Sequence, residues 1–317
     1  MATFSPVTLG LWAMGGKYWG EDVRDEDSIA AIHAALDLGI ESFDTAPLYG
    51  EGHADELLVR ALGERRHQVT IATKVGVRLP TAAGEHARSD LSPAHLRADC
   101  EASLRRLKLE RIDLLQIHWP CEFGTPLEES LATLVALQGE GKIAAFGLSN
   151  YDAPTLARAR QLAPVATLQT PYSLLRREYE QGLEAVCLEP APALGVLIYE
   201  PLCRGLLTAK FDEESTFPDS DLRAHDDRFS GPAFRRALRL AEGLARIAEH
   251  FDATAAALAI AWVLRRPSVS AALVGAKRPE QVRQNAEAAR LAADPGVPWE
   301  VLDRMAEAMR PPPRHRP

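Results

Sequence analysis

Four polar side chains lie where predicted strands end, and their types suit proton transfer. Asp44, Lys74 and His118 each close a short, mostly apolar segment, and Tyr49 lies in the loop just after Asp44. A lysine ammonium beside a tyrosine favours the phenolate and lowers the tyrosine pKa, so Tyr49 is a candidate general acid. Asp44 would keep a buried Lys74 charged, and His118 could hydrogen-bond and orient a substrate oxygen.

Each of these residues, taken alone, also fits a structural role. A buried aspartate can cap a turn, a tyrosine can pack at a rim, and a lysine or histidine can hydrogen-bond the backbone. Their shared position favours chemistry, because the carboxyl ends of barrel strands gather at one mouth and form the active site there.

The elements that position these side chains follow a regular alternation. Short apolar runs alternate with longer amphipathic stretches, which is typical of βα units around a parallel sheet. Helices are predicted from Ser28 to Leu38, opening on a Ser28 cap, and from Ser92–Pro93 onward. The sequence therefore predicts an α/β fold, a (β/α)8 TIM barrel. Its predicted strands are 7–11, 42–44, 70–73, 114–118, 144–148, 167–169, 196–199 and 271–274.

A doubly wound sheet would show the same alternation. Such a fold is expected to carry GxGxxG or GxxxxGK[ST], and the chain has neither motif. One long connection, residues 201–234, follows the seventh strand, and loops of this length are usually functional or disordered. We expect a single barrel domain over residues 1–310 and a disordered tail over residues 311–317.

The composition limits the classes of partner. The chain has 317 residues, of which 46% are hydrophobic and 25% charged, as in an ordinary globular protein. Its formal charge of -8 gives no electrostatic reason to expect a nucleic acid or a membrane as partner. There is no long apolar run or leader-like start, so we expect a cytoplasmic protein. The four cysteines form no CxxC pair, so no metal site is expected.

Segments around the four polar residues resemble the aldo-keto reductase superfamily. Residues 43–50, FDTAPLYG, look like the family signature, and ATK at 72–74 and QIHWP at 116–120 match its next two catalytic segments. Further matches follow in order over nearly the whole chain: 147–150, Gln169 with Tyr172, 199–202, 205–207 and 275–285. The resemblance is to bacterial-type members and also to potassium-channel β subunits. It implies a barrel that uses NADPH/NADP+, with Tyr49 as the acid, Lys74 and Asp44 tuning it, and His118 positioning the carbonyl.

The resemblance also implies a cofactor site. Ser149, Asn150 and Gln169 would bind the nicotinamide carboxamide, since an amide needs both donors and acceptors, and Tyr199 would stack on the ring. Core packing is an alternative role for Tyr199. The loop after the seventh strand would close over the pyrophosphate. For Lys210 and Arg228 in this loop, an ordinary surface charge is an alternative role. The implied loop residues are Glu200, Pro201, Leu202, Arg204, Gly205, Leu206, Lys210 and Arg228.

The far end of the implied cofactor site lies where the last strand meets a helix. Lys277 and Arg278 would hold the 2'-phosphate there, because a helix start favours anions. Many family members have arginine in place of Gln281 and lysine in place of Gly275, so the strictness of the NADPH preference stays open. The remaining implied residues of this end are Gly275, Gln281, Gln284 and Asn285.

The predicted substrate pocket is aromatic. Trp12, Trp19 and Trp119 fall in loops near the mouth and could line it, although ordinary packing is an equal alternative. The predicted function is reversible NADPH-dependent reduction of an aldehyde or ketone to an alcohol, with a small-molecule carbonyl or alcohol as partner. Two alternatives remain: an NADPH-binding regulatory or redox-sensing subunit, and a barrel lyase or isomerase with Lys74 as a Schiff-base nucleophile. The sequence fixes neither the substrate nor the oligomeric state.

Overall fold

Eight parallel strands close into a barrel, which confirms the predicted (β/α)8 fold. The computed structural model describes residues 3–16, 19, 23–80, 85–189 and 193–309. The barrel order is β1-β10-β9-β8-β7-β6-β3-β2, and β4 and β5 form a separate two-stranded antiparallel ribbon. The strands are β1 Val7–Gly10, β2 Ser42–Asp44, β3 Thr70–Val75, β4 Val77–Arg78, β5 Arg88–Ser89, β6 Ile112–Ile117, β7 Ile143–Ser149, β8 Thr167–Pro171, β9 Gly195–Tyr199 and β10 Ala271–Gly275.

The eight predicted strands all occur in the barrel, with ends that differ by one or two residues. His118 lies just beyond β6 instead of inside it. The barrel interior is filled by small and apolar side chains, among them Ala72, Leu114, Ala145 and Leu197. This apolar layer leaves the polar side chains at the carboxyl ends of the strands, which is where barrel active sites form.

Ten helices are described around the barrel. They are α1 Asp25–Asp37, α2 His53–Leu62, α3 Pro93–Leu107, α4 Leu127–Gly139, α5 Ala153–Leu162, α6 Leu183–Cys187, α7 Gly231–Ala248, α8 Ala255–Leu264, α9 Pro279–Ala292 and α10 Trp299–Ala308. Helix α8 is almost entirely buried and packs against α7 and α9. The predicted helix start at Ser92–Pro93 is confirmed, because α3 begins at Pro93 with Ser92 as its N-cap.

The predicted cap of the first helix is wrong. Ser28 lies buried inside α1, which begins at Asp25 with Arg24 as its N-cap. The acidic residues that precede Ser28 form the first turn, where negative charge is favourable next to the helix dipole. The Arg24 guanidinium donates to Asp27 at 2.8 Å and ties this turn together.

The long connection after β9 is organised around its own aromatic cluster. Its short 3-10 turns, Cys203–Thr208, Leu222–His225 and Asp227–Phe229, precede α7. The rings of Phe211, Phe217 and Phe229 meet edge to face, with centroids 5.1 to 5.9 Å apart. This cluster gives the connection a fixed path past the barrel mouth.

No single helix of the described residues is long and apolar enough to cross a membrane. Two helical segments, Gly231–Phe251 and Ala255–Leu264, reach that length and composition only when taken together, and they meet at 90°. The predicted tail, residues 311–317, lies outside the described residues.

Candidate active site

Lys74 is the centre of a buried hydrogen-bonded group at the barrel mouth. From β3, its Nζ donates to Asp44 Oδ1 at 2.6 Å, to the Thr45 carbonyl at 3.0 Å and to the Tyr49 hydroxyl at 3.0 Å. The Lys74 side chain is only 1% exposed and Asp44 is 4% exposed, so the pair is almost free of solvent screening. Although burial lowers the pKa of Lys74, Asp44 and Tyr49 outweigh it and raise that pKa. The structure thus brings three predicted catalytic residues into contact.

The predicted direction of the Tyr49 pKa shift is wrong. Burial raises the pKa of Tyr49, the Lys74 ammonium offsets only part of this rise, and the Asp44 and Asp55 charges add to it. The phenol therefore keeps its proton at neutral pH. Because its oxygen accepts a hydrogen bond from Lys74, its own hydrogen is available to another acceptor.

His118 faces the same cleft beside Tyr49. The two rings meet edge to face with centroids 6.1 Å apart, and His118 stacks on Trp119 at 4.6 Å. Burial and the Lys74 charge hold the pKa of His118 well below its usual 6.5. A neutral imidazole can still donate one hydrogen bond, so His118 can bind an oxygen without carrying charge.

These pKa directions predict a flat pH profile. His118 becomes charged only when the pH falls through its lowered pKa, and Tyr49 loses its proton only when the pH rises through its raised pKa. For the predicted carbonyl reduction, we expect kcat/KM to vary less than about twofold between pH 6 and 9, since neither group titrates there. Initial rates in a constant-ionic-strength buffer series test this. A step near pH 6.5 that is absent in His118→Gln would contradict the assignment of His118 as neutral.

The side chains predicted to bind the nicotinamide lie next to the hydrogen-bonded Lys74, Asp44 and Tyr49. Gln169 Nε2 donates to Asp44 Oδ2 at 2.8 Å, which links the amide directly to the buried ion pair. Asn150 Nδ2 donates to the His118 carbonyl at 3.0 Å, and the Tyr199 hydroxyl donates to Asn150 Oδ1 at 2.6 Å. Asn150 has a φ of 66°, a conformation in which asparagine is enriched. The Asn150 amide is thus held at its oxygen and its nitrogen.

A cleft of about 550 Å³ runs from this group across the barrel mouth to the start of α9. Asp44, Tyr49 and His118 line it, as do all three predicted pocket tryptophans. Of the predicted cofactor residues, those on the cleft are Ser149, Asn150, Gln169, Tyr199, Glu200, Pro201, Leu202, Arg204, Gly205, Lys210, Gly275, Lys277, Arg278 and Gln281.

Four predicted cofactor residues are not among the lining residues of the cleft. Leu206 is buried with Phe229 and Phe234 in the apolar cluster of the long connection. The Arg228 guanidinium donates to Asp226 and to Glu200 at 3.2 Å, so it braces the loop. On α9, Gln284 is exposed and Asn285 is buried.

Four polar residues at this site were not predicted from the sequence. Arg176, Thr208 and Arg223 line the cleft, and Gln116 lies buried next to Asp44 with its Nε2 3.5 Å from Asp44 Oδ2. Arg223 lies five positions before Arg228 in the same aspartate-rich loop, and composition does not distinguish the two. Gln116 lies inside the matched QIHWP segment, and the inward-facing period of β6 could have identified it.

The α9 end of the cleft is basic and already capped. The backbone amides of Lys277 and Arg278 donate to Gln281 Oε1 at 2.7 and 3.2 Å. The Lys277 ammonium donates to the Trp19 carbonyl at 2.7 Å, and Arg278 is half exposed with Asp27 4.0 Å away. The two cationic side chains suit a phosphate, whereas the Lys277 and Arg278 amides already donate to Gln281.

Aromatic side chains wall the catalytic end. The Trp12 and Trp19 rings meet edge to face at 5.0 Å, and Trp12 lies 6.4 Å from the Tyr49 ring. Trp119 covers the opposite side through its stack on His118. Among the described residues, no group of three or more histidine, cysteine, aspartate or glutamate side chains could hold a metal ion.

The chain is similar to known proteins over most of its length. The model of the Aldo/keto reductase family matches residues 6–296. The chain is 38% identical to the aldo-keto reductase YhdN of Bacillus subtilis, over 89% of this chain and 84% of that protein. It is 32% identical to the NADH-specific methylglyoxal reductase of Escherichia coli, over 97% and 96% of the two chains.

A solved structure is similar over almost the whole fold. The glycerol dehydrogenase AKR11B4 from Gluconobacter oxydans superposes with a TM-score of 0.86 at 39% identity, covering 98% of this chain and 94% of that one. The family match spans the barrel strands and the four polar residues at the barrel mouth. The chain therefore belongs to the aldo/keto reductase family.

Proposed function

We propose that this protein is an NADPH-dependent oxidoreductase that reduces an aldehyde or ketone to an alcohol, reversibly, with Tyr49 as the general acid. The observation that carries the proposal is the Lys74 ammonium, which contacts both the Asp44 carboxylate and the Tyr49 hydroxyl at the cleft wall. A Schiff-base reaction would need a neutral, accessible Lys74, but this ammonium is buried and its pKa is raised.

Each catalytic side chain has a distinct task in this proposal. A bound nicotinamide cofactor would supply the hydride for reduction. Tyr49 donates its proton to the substrate oxygen, and the Lys74 ammonium, which contacts the hydroxyl, favours the phenolate that this transfer leaves. Neutral His118 donates a hydrogen bond to the same oxygen and orients it as negative charge develops. In the reverse direction the same tyrosine oxygen takes the alcohol proton, so oxidation improves as the pH rises toward the Tyr49 pKa.

The residues along the cleft fit a nicotinamide dinucleotide. The Asn150 and Gln169 amides lie beside the catalytic end, and two arginines line the same cleft. Arg204 is paired with Glu200 and Asp226, and Arg223 with Asp221, so a phosphate would share these guanidinium groups with carboxylates. Anionic phosphate groups prefer arginine and backbone N–H donors. Lys277 and Arg278 would contact a 2'-phosphate, which favours NADPH, although the Escherichia coli relative is described as NADH-specific.

Cofactor preference gives a direct prediction. Replacing Lys277 and Arg278 by alanine together is expected to weaken NADPH binding by at least about 100-fold and NADH binding less than about threefold, since each charge-assisted contact contributes roughly 1.5 kcal/mol or more. Quenching of tryptophan fluorescence gives both Kd values. Arg283→Ala is the matched control, because Arg283 is exposed on the same helix. Equal weakening of both cofactors would place the 2'-phosphate elsewhere.

The test of the proposed function is consumption of NADPH, followed by its absorbance. The panel should contain methylglyoxal, glyceraldehyde and 4-nitrobenzaldehyde, with glycerol and NADP+ for the reverse direction and NADH in parallel. Turnover that requires Tyr49 supports the reductase. Tight NADPH binding without turnover of any carbonyl or alcohol would favour the regulatory or sensing alternative. No binding of either cofactor would overturn the proposal.

A further inference from the structure

An ion pair between the buried Asp55 and the partly exposed Arg106 joins α2 to α3 behind the Lys74–Tyr49 contact. Asp55, in the first turn of α2, is fully buried. Its Oδ2 accepts a hydrogen bond from Arg106 Nε at 2.6 Å, and its Oδ1 accepts one from the Thr45 hydroxyl at 2.6 Å. Both oxygens of the carboxylate therefore have a partner. One of these partners, Thr45, directly follows Asp44 in the chain.

Thr45 connects this ion pair to the catalytic lysine. Its hydroxyl is fixed by Asp55, and its carbonyl oxygen accepts from Lys74 Nζ at 3.0 Å. An ammonium group has three N–H bonds, and here Asp44, the Thr45 carbonyl and the Tyr49 hydroxyl take one each. A shift of Thr45 would therefore turn the ammonium away from Tyr49.

The approach of Arg106 depends on a glycine. Gly52, just before α2, has a φ of 95°, and a Cβ there would lie 2.8 Å from Arg106 Cδ and 3.0 Å from its Nε. The same helix start also holds the catalytic loop, since the Ala54 amide donates to the Tyr49 carbonyl at 3.2 Å. The α2 start thus contacts Thr45 through Asp55 and the Tyr49 backbone through Ala54.

We propose that Asp55 and Arg106 are positioning residues of the reaction, which act through Thr45 on the direction of the Lys74 ammonium. This inference rests on the proposed reductase function. The Asp55 carboxylate is fully buried, and the cost of its desolvation cancels much of the attraction to Arg106, so this pair is an inefficient way to gain stability. Its geometry, with two short bonds to one carboxylate, is instead suited to fixing the position of a neighbouring group.

The sharpest variant is Thr45→Val, which removes the hydroxyl, keeps the volume and leaves the Asp55–Arg106 pair intact. We expect kcat with NADPH and the best carbonyl of the panel to fall about tenfold, because small misplacements of catalytic groups cost that much or more. The Kd for NADPH should change less than about twofold. Thr45→Ser, which keeps the hydroxyl, should retain at least about half of the wild-type kcat.

The ion pair itself is tested by Arg106→Met, with Arg105→Met as the control from the same helix, since Arg105 is exposed. Arg106→Met should also lower kcat about tenfold. Because both changes act through one contact, the double variant Thr45→Val/Arg106→Met should lose about tenfold and not about 100-fold. Circular dichroism at the assay temperature checks the fold of every variant. If Arg106→Met is unfolded, Thr45→Val carries the test, and if Thr45→Val is unfolded, Arg106→Met with its Arg105→Met control carries it.

Several results would overturn the inference. Wild-type kcat in Thr45→Val would show that the hydroxyl contact does not guide Lys74. Fully multiplicative losses in the double variant, or an equal loss in Thr45→Ser, would indicate general destabilisation. If the wild-type protein turns over no carbonyl or alcohol, the proposed function fails and this inference fails with it. An active wild type with unaffected variants overturns the inference alone.

Discussion

Tyr49→Phe is expected to lower kcat for carbonyl reduction by about 10³-fold while leaving the Kd for NADPH within about twofold of wild type. The hydroxyl is the proton donor of the proposed reaction, and its contact with Lys74 leaves its hydrogen free to reach the substrate. The ring packs against the apolar core, and phenylalanine keeps that packing. The loss should therefore appear in turnover, with little change in cofactor binding.

Steady-state rates and fluorescence titration of the same protein samples check this expectation. Tyr179→Phe is the matched control, because Tyr179 is buried beside Tyr172 and is not among the residues that line the cleft. Its kcat should stay near wild type. A Tyr49→Phe enzyme that keeps more than about a tenth of the wild-type kcat would remove Tyr49 as the acid.

Lys74→Met should affect both activity and stability. It leaves the Asp44 carboxylate buried without its ammonium partner, and breaking one side of a buried ion pair typically costs about 3–5 kcal/mol. It also leaves Tyr49 without the positive charge that partly offsets the rise of its pKa. We expect kcat to fall by at least about 100-fold, together with a lower midpoint of urea unfolding.

A second variant separates the two effects of Lys74. In Lys74→Met/Asp44→Leu no buried charge is left unpaired, so much of the lost free energy of unfolding should return. Activity should not return, because the group that contacts Tyr49 is still missing. Recovery of kcat together with stability would mean that Lys74 matters for folding and has no part in the chemistry.

The order of strands was readable in the sequence because each is a short apolar run between amphipathic helices. The carboxyl end of β2 and that of β3 therefore located Asp44 and Lys74 correctly. The start of α1 was misread because Ser28 resembles a cap, whereas the acidic turn before it already satisfies the helix dipole. A serine cap and an acidic first turn are both signals of a helix start, and the packing of the first turn determines which of them marks the first residue of α1.

The sequence by itself determined the barrel, its family and the residue types gathered at the mouth. Only the tertiary structure decided the sign of the Tyr49 pKa shift, the bond from Gln169 to Asp44, and the cleft position of Arg223 in place of Arg228. It alone also revealed the Arg106–Asp55 pair behind Thr45. The physical reason is common to all of these features. Desolvation and hydrogen bonding depend on distances between side chains that are far apart in the chain, and sequence patterns report only neighbours along it.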